Sequence, residues 1–208
     1  MSRNILTVVA LGAMLAQFAA PHAALPGEYD AKASYLLNFA EFVEWPAGAF
    51  WDEKAPFVLG VMGKDSFGGT LDKLQGKTVN GRKLEIKRFK GALEFRGNET
   101  PGRRQEGLPQ KQAKKLAELK SCHILFISAS EAKFLSSILK PLKEASVLTV
   151  GETESFAYDG GIISFVDGSG KVQLQINLDA AGQARLKISS KLLSLAKVIT
   201  IEHEDGKR

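Results

Sequence analysis

The chain has 208 residues, of which 44% are hydrophobic and 25% charged, a balance that fits an ordinary globular protein. It excludes disorder, collagen-like repeats and a long coiled coil, and a domain of this size needs neither metal nor disulfide to fold. The net charge of +5 is mild, and the single cysteine, Cys122, rules out an intramolecular disulfide framework.

The first residues read as an export signal. Arg3 supplies a positive start, Ile5 to Ala16 an apolar core, and Ala19-Ala20-Pro21-His22-Ala23-Ala24 a small-residue stretch. The core is too short for the roughly 20 residues of a membrane-spanning helix. Residues 1–24 are therefore expected to be a signal peptide, and 25–208 one exported, periplasmic domain. Losing Arg3 with the leader lowers the net charge from +5 to +4.

Glu28 to Glu44 repeats apolar residues at helical steps (Tyr29, Ala33, Leu36, Leu37, Ala40, Val43) and should end before Pro46. Pro56 to Gly63 reads as a buried strand, and Asp65 or Ser66 caps a short helix reaching Leu74. Thr78 to Phe89 carries an Asn-Gly turn and then alternation, which predicts a half-exposed strand preceded by a hairpin. Lys90 to Gln110, rich in glycine and proline, reads as a long basic loop, and Lys111 to Leu119 as a helix. His123 to Ser128 and Val147 to Gly151 are continuous apolar runs of the buried parallel type, with a helix capped by Ser130 between them. Ile162–Val166 and Val172–Asn177, joined by Asp167-Gly168-Ser169-Gly170, predict an antiparallel hairpin. Ser189-Ser190 should cap a closing helix from Lys191 to Ile199. The order predicts an α/β fold, a mainly parallel central sheet with helices on both faces and a C-terminal antiparallel hairpin, a Rossmann-like sandwich.

Catalytic signatures are sparse. Cys122 and His123 are adjacent, but neighbours on a strand face opposite sides, which separates a thiol from its base. No Gly-x-Ser-x-Gly elbow occurs, and no His, Cys, Asp and Glu spacing fits a metal, so neither cofactor nor metal is expected. Gly60 to Gly69 follows a strand, where doubly wound folds bind phosphate, yet it lacks the dinucleotide and P-loop spacings. A tight strand-to-helix turn accounts for those glycines. Between Lys90 and Lys120 eight basic residues face four acidic ones. A docking patch for anionic lipid, cell-wall polymer or an acidic partner and a solvated loop are both open readings. Nucleic-acid binding is disfavoured by export and by the lack of interleaved aromatics.

Three segments carry a resemblance when taken together. They are Asn38-Phe39-Ala40-Glu41-Phe42-Val43-Glu44-Trp45-Pro46, then Cys122 to Ile127 with Val147 to Glu152 and Phe156-Ala157. The third is Gly160 to Phe165 with Ile176-Asn177-Leu178 and Leu186 to Leu193. Their order and spacing resemble the YfiR-like family of exported bacterial proteins over nearly all of the mature chain. The resemblance implies an α/β sandwich without catalysis. It also implies a periplasmic regulator that restrains a membrane-bound diguanylate cyclase, or another inner-membrane sensor protein, and a homodimer. Two positions depart from the family pattern, Gln175 for a glutamate and Arg185 for a glycine, beside a region where partner contact is implied. Cys122 matches a family cysteine but has no intrachain partner, so an internal disulfide cannot form.

The residues themselves offer Phe39, Phe42 and Trp45 as large apolar area at a helix end, the first two as core and Trp45 at a surface or groove. Asn177 either caps the next turn or faces a partner. The partner-binding candidates are Trp45, Phe165, Gln175, Asn177 and Arg185. The leading expectation is a non-enzymatic regulator acting by occupancy. The alternative is a periplasmic small-ligand carrier or sensor using the cleft at the strand ends near Gly63 and Gly151.

Overall fold

The computed structural model describes residues 27–92, 108–168 and 170–200. The expected signal peptide, most of the basic loop and residues 201–208 lie outside these residues. Chain order is α1 (Glu28–Phe42), β1 (Val43–Glu44), β2 (Phe57–Met62), α2 (Gly69–Asp72), β3 (Thr78–Val79), β4 (Arg82–Phe89), α3 (Leu108–Lys120) and β5 (Ile124–Ile127). A 3-10 turn (Ala129–Phe134) then leads into α4 (Leu135–Leu139), β6 (Leu148–Gly151), β7 (Ile163–Asp167), β8 (Val172–Asn177), α5 (Leu178–Gln183), β9 (Lys187–Ile188), α6 (Ser190–Leu193) and β10 (Ala196–Ile199).

Eight strands form one sheet in the order β10-β8-β7-β6-β5-β2-β4-β3. The run from β4 to β7 is parallel, as expected of strands buried on both faces. Phe57, Leu59, Val61, Ile124, Phe126, Leu148 and Val150 point to the face covered by α1, where they meet Ala33, Leu36 and Phe39. Val58, Met62, Leu125, Ile127 and Val147 point the other way, to Leu119 of α3 and to Leu135, Ile138 and Leu139 of α4. Strand alternation thus sorts one continuous apolar sequence into two cores, and helices cover both faces.

The hairpins form at β3–β4 and β7–β8, both antiparallel, the second turning where Gly168 donates to Lys171 O at 2.8 Å. The closing helix does not form as expected. Ser189 caps only the four residues of α6, accepting Leu192 N–H, and the chain then becomes β10, which pairs parallel with β8. Val198-Ile199-Thr200 is a β-branched run, and the outer edge of β8 offers it backbone partners that a helix would leave unpaired. Leu195, within that expected helix, is 64% exposed. The first helix also stops earlier than Glu44: Val43 turns extended, and β1 pairs antiparallel with β9 to form a separate two-stranded clip. Helix α3 begins at Leu108, inside the stretch expected as loop.

Candidate functional site

At the carboxyl ends of the parallel strands, where α/β folds bind ligands, the chain fills the space with its own polar side chains. Lys32 of α1, only 5% exposed, reaches Glu152 after β6 at 2.7 Å and Glu28 one turn earlier at 2.6 Å. Tyr29 donates its hydroxyl to Glu152 Oε2 at 3.0 Å, and Ala129 N–H donates to Oε1 at 3.1 Å. Lys32 also lies over the Tyr29 ring, 4.5 Å from its centre. Burial alone would lower the Lys32 pKa, but the hydrogen bonds to Glu152 and Glu28 outweigh it and hold the ammonium charged above its ordinary range. Burial pushes the Tyr29 phenol up as well, against the hydrogen bond from Ser66.

A second carboxylate closes the position beside β2. Glu131 is buried and accepts Ala92 N–H at 2.7 Å and the Ser130 hydroxyl at 3.1 Å. Gly63 (φ +90°) and Gly91 (φ +109°) permit this close approach: a Cβ would stand 2.9 Å from Glu131 Oε1 at Gly63 and 2.6 Å from it at Gly91. Gly151, at the end of β6, packs against the ring of the buried Phe156, which also lies against Gly161. The cleft expected near Gly63 and Gly151 is therefore occupied by Ser130, Glu131 and Phe156.

Cys122 and His123 face opposite sides. Cys122 is 2% exposed, its Sγ donates to Glu118 O at 3.6 Å, and burial pushes its pKa up to about 12. A folded chain cannot offer that thiol to another chain. The His123 ring stacks on Phe50 at 4.1 Å and Phe57 at 5.0 Å. Its Nδ1 accepts Val58 N–H at 3.0 Å, which places the proton on Nε2, 3.2 Å from Ala49 O. Burial lowers its pKa to about 4, against the opposing bond to Ala49, so the ring is neutral at pH 7. Among the described residues no group of three or more His, Cys, Asp or Glu side chains could hold a metal.

Three of the five partner-binding candidates, Phe165, Gln175 and Asn177, lie on the neighbouring strands β7 and β8, where Gln175 pairs with Ser164 beside Phe165, but no side-chain hydrogen bond or ring contact joins any two of the five. Trp45 is half-buried, with its ring perpendicular to Phe57, the centres 5.2 Å apart, and its indole N–H donating to His123 O at 3.3 Å. Phe165 is 2% exposed and stacks on Phe39 at 5.9 Å, so it is core and cannot meet a partner. Asn177 is a buried cap: Oδ1 accepts Ala180 N–H at 2.9 Å and Nδ2 donates to Ala157 O at 2.8 Å. That cap starts α5, a helix the sequence reading missed. Gln175 is half-buried on β8, with a buried Oε1 that has no hydrogen-bond partner. Arg185 is exposed and donates to Glu144 O at 3.1 Å. Its φ of +59° just past α5 is the left-handed position a glycine fills most easily.

Two surface features were not foreseen. A groove of about 370 Å³ runs between α4 and α5, lined by Lys140, Lys143, Tyr158, Asp159 and Gln183 among others. Trp51, in the loop between β1 and β2, is 82% exposed. A loop between two prolines, Pro46 and Pro56, with adjacent aromatics Phe50 and Trp51 was the available signal.

Among the described residues no helix is long and apolar enough to cross a membrane. The profile of the YfiR/HmsC-like family matches residues 29–197, from α1 to β10. Among solved structures the chain is similar to a conserved domain protein from Vibrio cholerae, at 14% identity and a TM-score of 0.51. That match covers 83% of this chain but only 60% of the other, and at this identity it shows the fold alone. The comparison with curated proteins gives no match. A family profile that spans both cores and most of the sheet decides the matter, and the chain belongs to the YfiR/HmsC-like family.

Proposed function

We propose that this protein is an exported, periplasmic regulator without catalytic activity, which restrains a membrane-bound diguanylate cyclase by binding its periplasmic domain. The match to the YfiR/HmsC-like family over residues 29–197 carries this reading. The filled strand ends support it, because Lys32, Glu152 and Glu131 are engaged within the fold and leave the protein to act through its outer surface. Occupancy suffices: a partner with two states follows whichever the bound regulator prefers, and differential affinity is the only requirement. Release would raise cyclic di-GMP in the cell and favour biofilm growth. A homodimer is a further association within this reading.

Deleting the gene tests it. Cyclic di-GMP should rise and should fall again when the gene is restored; unchanged levels with the membrane-bound cyclase intact would sink the proposal. One observation favours a second reading, the α4–α5 groove, whose size suits a small ligand. A small molecule that raises the melting temperature of the protein would support a sensor role.

A further inference from the structure

Trp51 is held out to solvent by a loop that has little freedom to hide it. On one side of it, Phe50 is clamped between the His123 ring at 4.1 Å and the Arg82 guanidinium, 3.9 Å from the Phe50 ring centre. On the other, Arg82 Nη1 donates to Asp52 O and Ala55 O, both at 2.8 Å, and Asp52 Oδ1 accepts Lys54 N–H at 2.6 Å. His123 Nε2 fixes Ala49 from below at 3.2 Å. Both neighbours of Trp51 are thus pinned to β4 and to the start of β5, while the indole itself is 82% exposed. Tryptophan is the residue most enriched where a partner fills an apolar pocket, and an anchor on a fixed loop loses little conformational freedom on binding.

The flanking charges narrow the occupant. Asp52 and Glu53 follow Trp51 directly and are exposed, with Lys54 behind them. Carboxylates beside the indole oppose an anionic lipid surface, and they complement a protein pocket rimmed by Lys or Arg. We infer that the Trp51 loop is the docking anchor for the extracytoplasmic domain of the membrane partner, inserting the indole into an apolar pocket with a basic rim. This rests on the regulator reading above.

The test uses the full-length gene in a deletion strain, with cyclic di-GMP as the readout. Wild type and Trp51→Phe should lower cyclic di-GMP, whereas Trp51→Ala should leave it at the deletion level, consistent with a loss of affinity of at least about 30-fold for a central anchor. The purified Trp51→Ala protein should melt within about 2 °C of wild type, because the side chain is exposed. If wild type lowers cyclic di-GMP and Trp51→Ala does so equally, the docking inference alone falls. If wild type itself has no effect, the regulator reading falls and takes this partner with it. Two further results would overturn the inference by naming another occupant. One is Trp51-dependent flotation with phosphatidylethanolamine–phosphatidylglycerol vesicles. The other is a dimer in sedimentation that Trp51→Ala dissociates.

Discussion

Replacing Lys32 with Met isolates the buried ion cluster. The methionine keeps most of the volume of the aliphatic stem, so the cavity contribution is small. What changes is that Glu152, with only 7% of its side chain exposed, loses its cation. Breaking one partner of a buried pair costs about 3–5 kcal/mol, against about 0–1 kcal/mol for an exposed pair. Tyr29 and Ala129 still donate to Glu152, which puts the expected loss near the low end, about 3 kcal/mol. For a domain of this size that is a melting temperature lower by about 6–12 °C. Adding Glu152→Gln removes the stranded charge, so a double-mutant cycle by urea titration should return a coupling of about 2 kcal/mol. The pH dependence has a definite sign. A lysine held above its unfolded pKa stabilises fully below that value and loses the contribution as pH rises through the folded pKa, so the steep alkaline loss of wild type should shrink in Lys32→Met. Some loss remains, because Tyr29 is also held protonated in the fold. A single-mutant loss under about 1 kcal/mol, or strict additivity in the cycle, would refute the reasoning.

Three other outcomes follow from the same geometry. His123, with a folded pKa of about 4 against 6.5 in its ordinary state, stabilises above pH 6.5 and loses that contribution as pH falls toward 4. The loss is on the order of 3 kcal/mol, and melting curves of His123→Gln should be flatter over this window. Cys122 should stay unreactive toward a thiol reagent at pH 8 until the protein is unfolded with guanidinium, whereas immediate stoichiometric labelling would contradict its burial. Gly151→Ala drives a methyl into the Phe156 ring and should cost about 1–3 kcal/mol, with partial recovery in combination with Phe156→Leu.

The parts of this fold that could be read in the sequence are those in which local pattern and tertiary environment agree. The apolar runs Phe57–Met62 and Ile124–Ile127 are buried on both faces, so every position is apolar and the strand is unmistakable. The tail shows the opposite case. Leu192, Leu195, Ala196 and Ile199 have helical spacing, but the β-branched pair Val198-Ile199 and the open edge of β8 outweighed it. Asn177 and Arg185 drew notice as candidate contacts, yet one is a buried cap and the other terminates α5. The polar cluster was beyond sequence reasoning, since Lys32 and Glu152 meet only after α1 docks over the end of β6. Trp51 was passed over in favour of Trp45, because exposure depends on which of two nearby indoles finds a pocket in the sheet.

The β1–β9 clip bears on how the molecule assembles. It joins Val43 to Ile188, 145 positions apart in the chain, so it forms late in any folding route that begins with local contacts. Helix α1 leads directly into β1, and its docking surface includes Leu186 and Leu192 from the far end of the chain. Until that end arrives, the sheet face carrying Leu59, Phe126 and Val150 lacks its full cover. The helix that supplies Lys32 is therefore among the last segments to settle, and the folding protein passes through an interval in which this apolar sheet face is open to chaperones or to aggregation.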